Sequence, residues 1–348
     1  MTKPLQLLVV LALCWGCQPK QLVLEKDSLT SPTGALLQAI SHVDQQTTWV
    51  SGHEATFLRT TDGGQNWEAF VYEQGDTLQF RDLHAFSKDK VLLMSAGPGE
   101  LSQIIMYEAG AGFRQVYQMP YVRGFLNTIE FWDDQKGLAF GDSFDGELFV
   151  LKTEDGGETW SRIDPATLPA AGEGEGGFAA SGTCIAVQPE GKAWIATGAG
   201  GNARVLMTQD FGNSWTYTEA PLIRGDAAGV TSIRMLDAQQ GTIVGGDLAL
   251  TDGYSANIAQ TTDGGKNWTL QGPPVTKGAF YGSDLFQAGA HQVLVVCGPN
   301  GLDYAVDNFT SFSNLDSANY WAVDFNAAGV GYAVGTEGKI LRLKTALQ

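Results

Sequence analysis

Two carboxylates, Glu173 and Glu175, sit in a glycine-rich run that continues through Gly176 and Gly177 to Ser181 and Thr183. Asp142 and Asp145 follow an apolar run upstream of it, and Arg204 follows the corresponding run downstream. If these segments converge, they gather several carboxylates and a guanidinium. One chemistry open to such a cluster is glycoside hydrolysis, in which one carboxyl protonates the leaving group and a second acts as base or nucleophile. Asp142, Glu175 and Arg204 are then the catalytic candidates. The plainer reading is an ion pair between neighbouring structural units, or a polar loop that grips a partner. Arg81, Arg123 and Arg224 recur near the starts of apolar runs, where guanidinium forks can hold an anionic or polar ligand. A sialidase-like site would place three arginines on one carboxylate, but no Arg-Ile-Pro segment introduces the first of them.

Other chemistries find less support. His42, His53, His84 and His291 have no metal-ligand spacing and no cysteine beside them, so no metal is expected. Neither Gly172-x-Gly174-x-Gly176-Gly177 nor Gly198-x-Gly200-Gly201 opens a helix after a strand, as a dinucleotide fingerprint requires, and no cofactor is expected. Cys184 and Cys297 each lie in an apolar run of a different repeat and read as buried thiols.

The first residues read as an export leader: Lys3 supplies a positive start and Leu5 to Leu13 an apolar run that ends in Cys14-Trp15-Gly16-Cys17. That run is too short to span a bilayer. Gly16 is the small residue wanted before a modified cysteine, so residues 1–16 are expected to be a lipoprotein signal peptide and Cys17 the lipidated residue. Processing would leave 20 basic against 38 acidic residues. Such a surface repels phosphate backbones and anionic lipid. The expected partners are therefore an envelope protein or a glycan rather than nucleic acid. Membrane contact should run only through the lipid anchor, at the periplasmic or outer surface, and the chain should be a monomer.

What must position these residues is a repeat. Four segments share Thr-x-Asp-x-Gly-x-x-Trp, with Asp62 and Trp67, Asp155 and Trp160, Asp210 and Trp215, and Asp263 and Trp268 at the acid and aromatic positions. Eroded copies with Glu108, Gly110 and Phe113, and with Asp307 and Phe312, fill the gaps. The acid positions recur at intervals of 44 to 55 residues, the length of one four-stranded propeller blade. In this Asp-box the acid accepts hydrogen bonds from turn N–H groups, glycine permits positive φ, and tryptophan covers the hairpin. The box is a folding device. The last repeat, from Tyr320 to Leu343, has no box and lacks a fourth strand, which the segment from Gln21 to Glu25 can supply. The expected fold is all-β: a single seven-bladed propeller over residues 17–348, closed by an N-terminal strand.

With its boxes, the Phe131-Trp132-Asp133 segment, Gly141-Asp142, Asp145-Gly146 and the run from Glu173 to Thr183, the chain resembles the photosystem II stability and assembly factor-like propellers, across nearly the whole mature sequence. That resemblance implies a ring of seven blades that serves as a docking or assembly scaffold. The expectation for function is a noncatalytic binding module, with the channel-facing loops of the third to fifth blades as the partner surface.

Overall fold

The computed structural model describes residues 21–75 and 77–348; Cys17 and the leader lie outside the described residues. Seven four-stranded antiparallel sheets surround a central axis. Blades 1 to 6 occupy residues 37–71, 80–118, 126–162, 185–219, 228–270 and 282–316, each running from an inner strand to an outer one. Blade 7 takes its three inner strands from Tyr320–Phe325, Val330–Gly335 and Ile340–Leu347, and its outermost from Leu22–Leu29. The first and last strands pair from Leu22 with Leu347 to Leu29 with Ile340. Chain ends are thereby zipped together and no bare edge is left inside the ring.

The core lies between blades rather than within them. Each of seven apolar clusters joins two adjacent blades, as where Trp49 and Phe57 of blade 1 meet Phe80 and Leu93 of blade 2, or Leu37 and Val50 of blade 1 meet Tyr332 and Val334 of blade 7. A sheet with both faces apolar must bury both, and radial stacking does so seven times.

The box turns explain how this stacking is held. In blade 3, Thr153 Oγ1 donates to Asp155 Oδ1 (2.8 Å) and accepts from Gly157 N (3.0 Å), while Asp155 Oδ1 also accepts from Thr159 N (2.9 Å). The same threonine–acid–glycine arrangement recurs at Thr60, Thr208 and Thr261. Gly157 has φ of 81° and lies against Leu92 of the preceding blade, and Gly64 (φ 81°) lies likewise against Tyr332, leaving no space for a side chain. A box turn therefore closes its hairpin and seats it on its neighbour. Met106 and Ala305 replace the threonine in blades 2 and 6. There the turn bonds are gone: Asp307 instead accepts from Gln292 N and pairs with His291, and Glu108 makes no side-chain bond among the described residues.

Candidate functional site

The loops that link successive blades share one face, here the top, with those joining second to third strands; the box turns lie on the bottom. The segment 172–183 is the long top-face link between blades 3 and 4. It leaves blade 3 beside Asp142, pairs with blade 4 through reciprocal backbone bonds between Gly176 and Gly198 (3.0 and 2.8 Å), and then crosses the axis. On the way, Ala179 O accepts from Arg81 Nη1 of blade 2 (3.2 Å). Ser181 Oγ donates to Tyr281 O beside blade 6 (2.8 Å), Thr183 Oγ1 bonds Ser232 Oγ of blade 5 (2.7 Å), and Gly182 lies on the Asp82 side chain. This run is a plug over the central channel. Glycine is needed because the backbone passes against Asp82, Asn127 and Asp142, where a Cβ would collide.

Glu175 and Arg204 fasten the plug. The Glu175 side chain is 0% exposed and that of Arg204 9%. Glu175 Oε1 accepts from Arg204 Nε (2.9 Å) and Thr197 Oγ1 (2.7 Å), and Oε2 accepts from Gly172 N (2.7 Å) and from Arg204 Nη2. Arg204 also donates to Ala170 O (3.0 Å) and stacks over Tyr217. Both Glu175 oxygens are fully used and Arg204 donates through Nε and Nη2, which offsets the desolvation cost of a buried charge pair.

The other anticipated residues divide into three groups. Arg123, Asp142, Asp145, Glu173 and Glu175 line one top-face cleft of about 710 Å3 between blades 3 and 4. In it Asp142 accepts from Asn127 Nδ2 (2.8 Å) and Gly177 N (3.2 Å), and burial lifts its carboxyl above the ordinary range. Asp145 pairs with Arg123 at the exposed rim, and Glu173 points its carboxylate outward with no partner among the described residues. Ser181 and Thr183 are buried on the inner side of the plug, away from the top-face cleft. Arg81 and Arg224 go elsewhere, the first to Gln79 and the plug, the second to Glu219 on the outer strand of blade 4 (2.6 Å). The three arginines do not converge on one anion.

Beneath the plug lies a cluster that sequence reasoning missed. A well of about 210 Å3 along the axis is lined by Ser41, His42, Asp82, His84, Glu130, Ser181, Thr183, Arg234 and Asp324. Exposure rises along the inner strands, from 3% at Asp82 to 26% for the Glu130 side chain, so the well opens toward the bottom face. Asp82 Oδ1 accepts from Leu83 N, while Oδ2 accepts from Ile129 N and Thr128 Oγ1 of blade 3. Asp284 clamps Leu285 N and Phe325 N of blade 7 in the same manner. Arg234 is the only lysine or arginine lining the well; its Nη2 donates to Asp324 Oδ1 (3.0 Å). Burial lifts Glu130 to about 7 and pushes Asp82, Asp284 and Asp324 up, and it drives His84 down to about 4 and His42 down as well. A detectable signal existed: a charged residue interrupts the inner apolar strand of five blades, at Asp82, Glu130, Arg234, Asp284 and Asp324. Cys184 and Cys297 are buried free thiols.

No protein-family model matches this sequence, and no curated protein sequence matches it. Solved structures do match the fold. A structure described as YCF48 bound to D1 peptide aligns with a TM-score of 0.63 at 18% identity, over 93% of this chain and 97% of that one. YCF48 from Cyanidioschyzon merolae aligns at 0.62 and 15% identity, over 92% of this chain and 98% of that one. A streptogramin B lyase aligns at 0.61 and 15% identity, over 94% and 98%. At these identities the likeness shows a shared propeller architecture.

Proposed function

We propose that the protein is a noncatalytic docking module of the bacterial cell envelope, tethered through a lipid on Cys17, that holds a polypeptide partner on its top face around the cleft between blades 3 and 4. The observation that carries this reading is the state of Glu175. Both of its oxygens are committed to Arg204, Thr197 and Gly172, so it has no lone pair placed to serve a reacting group. The cleft is left with Asp142, Asp145 and Glu173 on rigid loops, an arrangement fitted to contact rather than to bond cleavage. A propeller of the same fold has been solved with a peptide bound, which supports a polypeptide as the partner class. The alternative, hydrolysis of an envelope or host glycan by Asp142 and Glu175, would need Glu175 released from its ion pair.

Affinity capture from native envelopes with the full-length protein tests this, alongside assay on a panel of glycosides. The expected result is one reproducible polypeptide, depleted when Asp145 and Glu173 are both changed to Lys, and no glycoside turnover. Turnover that disappears in Glu175→Gln would overturn the reading.

A further inference from the structure

We infer that the docked segment is an extended basic peptide, which seats an apolar side chain on a ledge formed by Tyr121 and Val122 and directs lysine or arginine into the adjoining acidic cleft. This inference rests on the docking role above and specifies the partner's chemistry. Val122 is 88% exposed, the most exposed large apolar residue among those described, and Tyr121 beside it is 41% exposed. With Pro98 and Pro120 they line a shallow groove of about 480 Å3 on the top face of blades 2 and 3.

The ledge is stiff. Gly99 N donates to Gly124 O (2.9 Å) and Gly124 N to Tyr121 O (2.8 Å), tying its two loops together. The Tyr121 ring packs on Phe144 with centroids 4.9 Å apart, and the Arg162 guanidinium lies within 5.9 Å of the rings of Tyr121, Phe144 and Phe149. A side chain landing there meets a preformed surface, so little ordering entropy opposes binding. Apolar groups held out in water on a rigid loop are the usual mark of an interface.

Ledge and cleft meet at Val122 and Arg123, since Val122 borders the groove while Arg123 and Phe144 border the cleft. Around this junction stand five carboxylates, Glu100, Asp142, Asp145, Glu147 and Glu173, against two guanidiniums. Those two are already taken, Arg123 by Asp145 and Arg162 by Glu147. Among the described residues Glu100, Asp142 and Glu173 have no cation paired with them, so a complementary partner brings positive charge next to its apolar anchor.

Three fluorescent dodecapeptides test this on the full-length protein by anisotropy at physiological salt: one with a Leu-Phe anchor flanked by lysines, one with the same anchor flanked by glutamates, and one with the lysines but serines for the anchor. The first should bind at least tenfold more tightly than either of the others. Val122→Asp and Glu173→Lys should each weaken it at least tenfold, with unchanged melting curves. Equal binding of both lysine peptides, preference for the acidic peptide, or indifference to Val122→Asp would overturn the assignment. If envelope capture still yields a polypeptide from these two variants, docking stands and this surface is wrong; if wild type captures none, the docking reading itself falls.

Discussion

A buried carboxylate, Glu175, and a half-buried one, Glu130, meet opposite fates within one ring. Glu175 enters the plug opposite a guanidinium, and every oxygen is matched by donors. Glu130 lines the well with Asp82 and Asp324 in company, and the guanidinium there, Arg234, is shared between Asp324 and Asp284. The first pair is a staple. In the second cluster burial raises the carboxyls above their ordinary range, with Glu130 lifted to about 7. The contrast shows that an internal charge is structural where its partners are complete and titratable where they are too few.

The largest effect should come from breaking the staple. Glu175→Ala leaves the Arg204 guanidinium buried and unpaired, a loss of about 3–5 kcal/mol on general grounds. Denaturant unfolding should show Arg204→Met costing a similar amount, because it strands the buried Glu175 carboxylate, and the double change recovering most of the loss. If Glu175→Ala is neutral, the staple is not holding the plug.

A smaller effect should come from the well, with its sign set by proton linkage. Native Glu130, with its pKa raised to about 7, binds its proton more tightly than in the unfolded chain. Its stabilising protonation is therefore complete at low pH and is lost as pH rises from the ordinary carboxylate range through about 7. Glu130→Gln should be near neutral at pH ~5 and stabilising at pH ~8 by on the order of 1–3 kcal/mol. His84 works in the opposite direction, because its pKa of about 4 costs stability as pH falls below the usual imidazole range. The measurement is accordingly the shift in unfolding midpoint caused by Glu130→Gln at the two pH values, made in a His84→Gln background because His84 Nδ1 lies 3.9 Å from Glu130 Oε1. A destabilising Glu130→Gln at pH ~8 would mean that the well is paired as fully as the staple.

The smallest effect should appear where the two regions touch. Thr183 Oγ1 and Ser232 Oγ join plug to inner strand at 2.7 Å, and Thr183→Val should cost about 1–2 kcal/mol through the orphaned hydroxyls. A cost below a few tenths would place a solvent molecule in that hydroxyl chain.

The ring was legible in the sequence because its signal is local and repeated. Thr60, Thr153, Thr208 and Thr261 with their acids and glycines mark four turns directly, and the missing fourth strand of the last repeat pointed to the closing segment near Leu22. Asp142, Asp145, Glu173, Glu175 and Arg204 could be placed near one another because each flanks a strand end of neighbouring blades. Where Arg81, Arg123 and Arg224 point was not legible, because a residue near a strand start faces whatever lies beside it: Gln79 and the plug for the first, Asp145 for the second, Glu219 for the third. The well escaped notice for a related reason. Asp82 and Asp324 are far apart in the chain and look like isolated polar interruptions, and only closure of the ring brings them to one axis. The ledge was missed because Tyr121 and Val122 look like any apolar pair until burial is known.

Site-specific photocrosslinking in living cells tests the account most directly, with a photoreactive residue at Val122 on the top face or at Lys266 in a bottom-face box turn. The account predicts that the Val122 position captures one discrete polypeptide whose crosslinked segment is basic, and that the Lys266 position captures none. The same polypeptide captured from Lys266 but not from Val122 would contradict it.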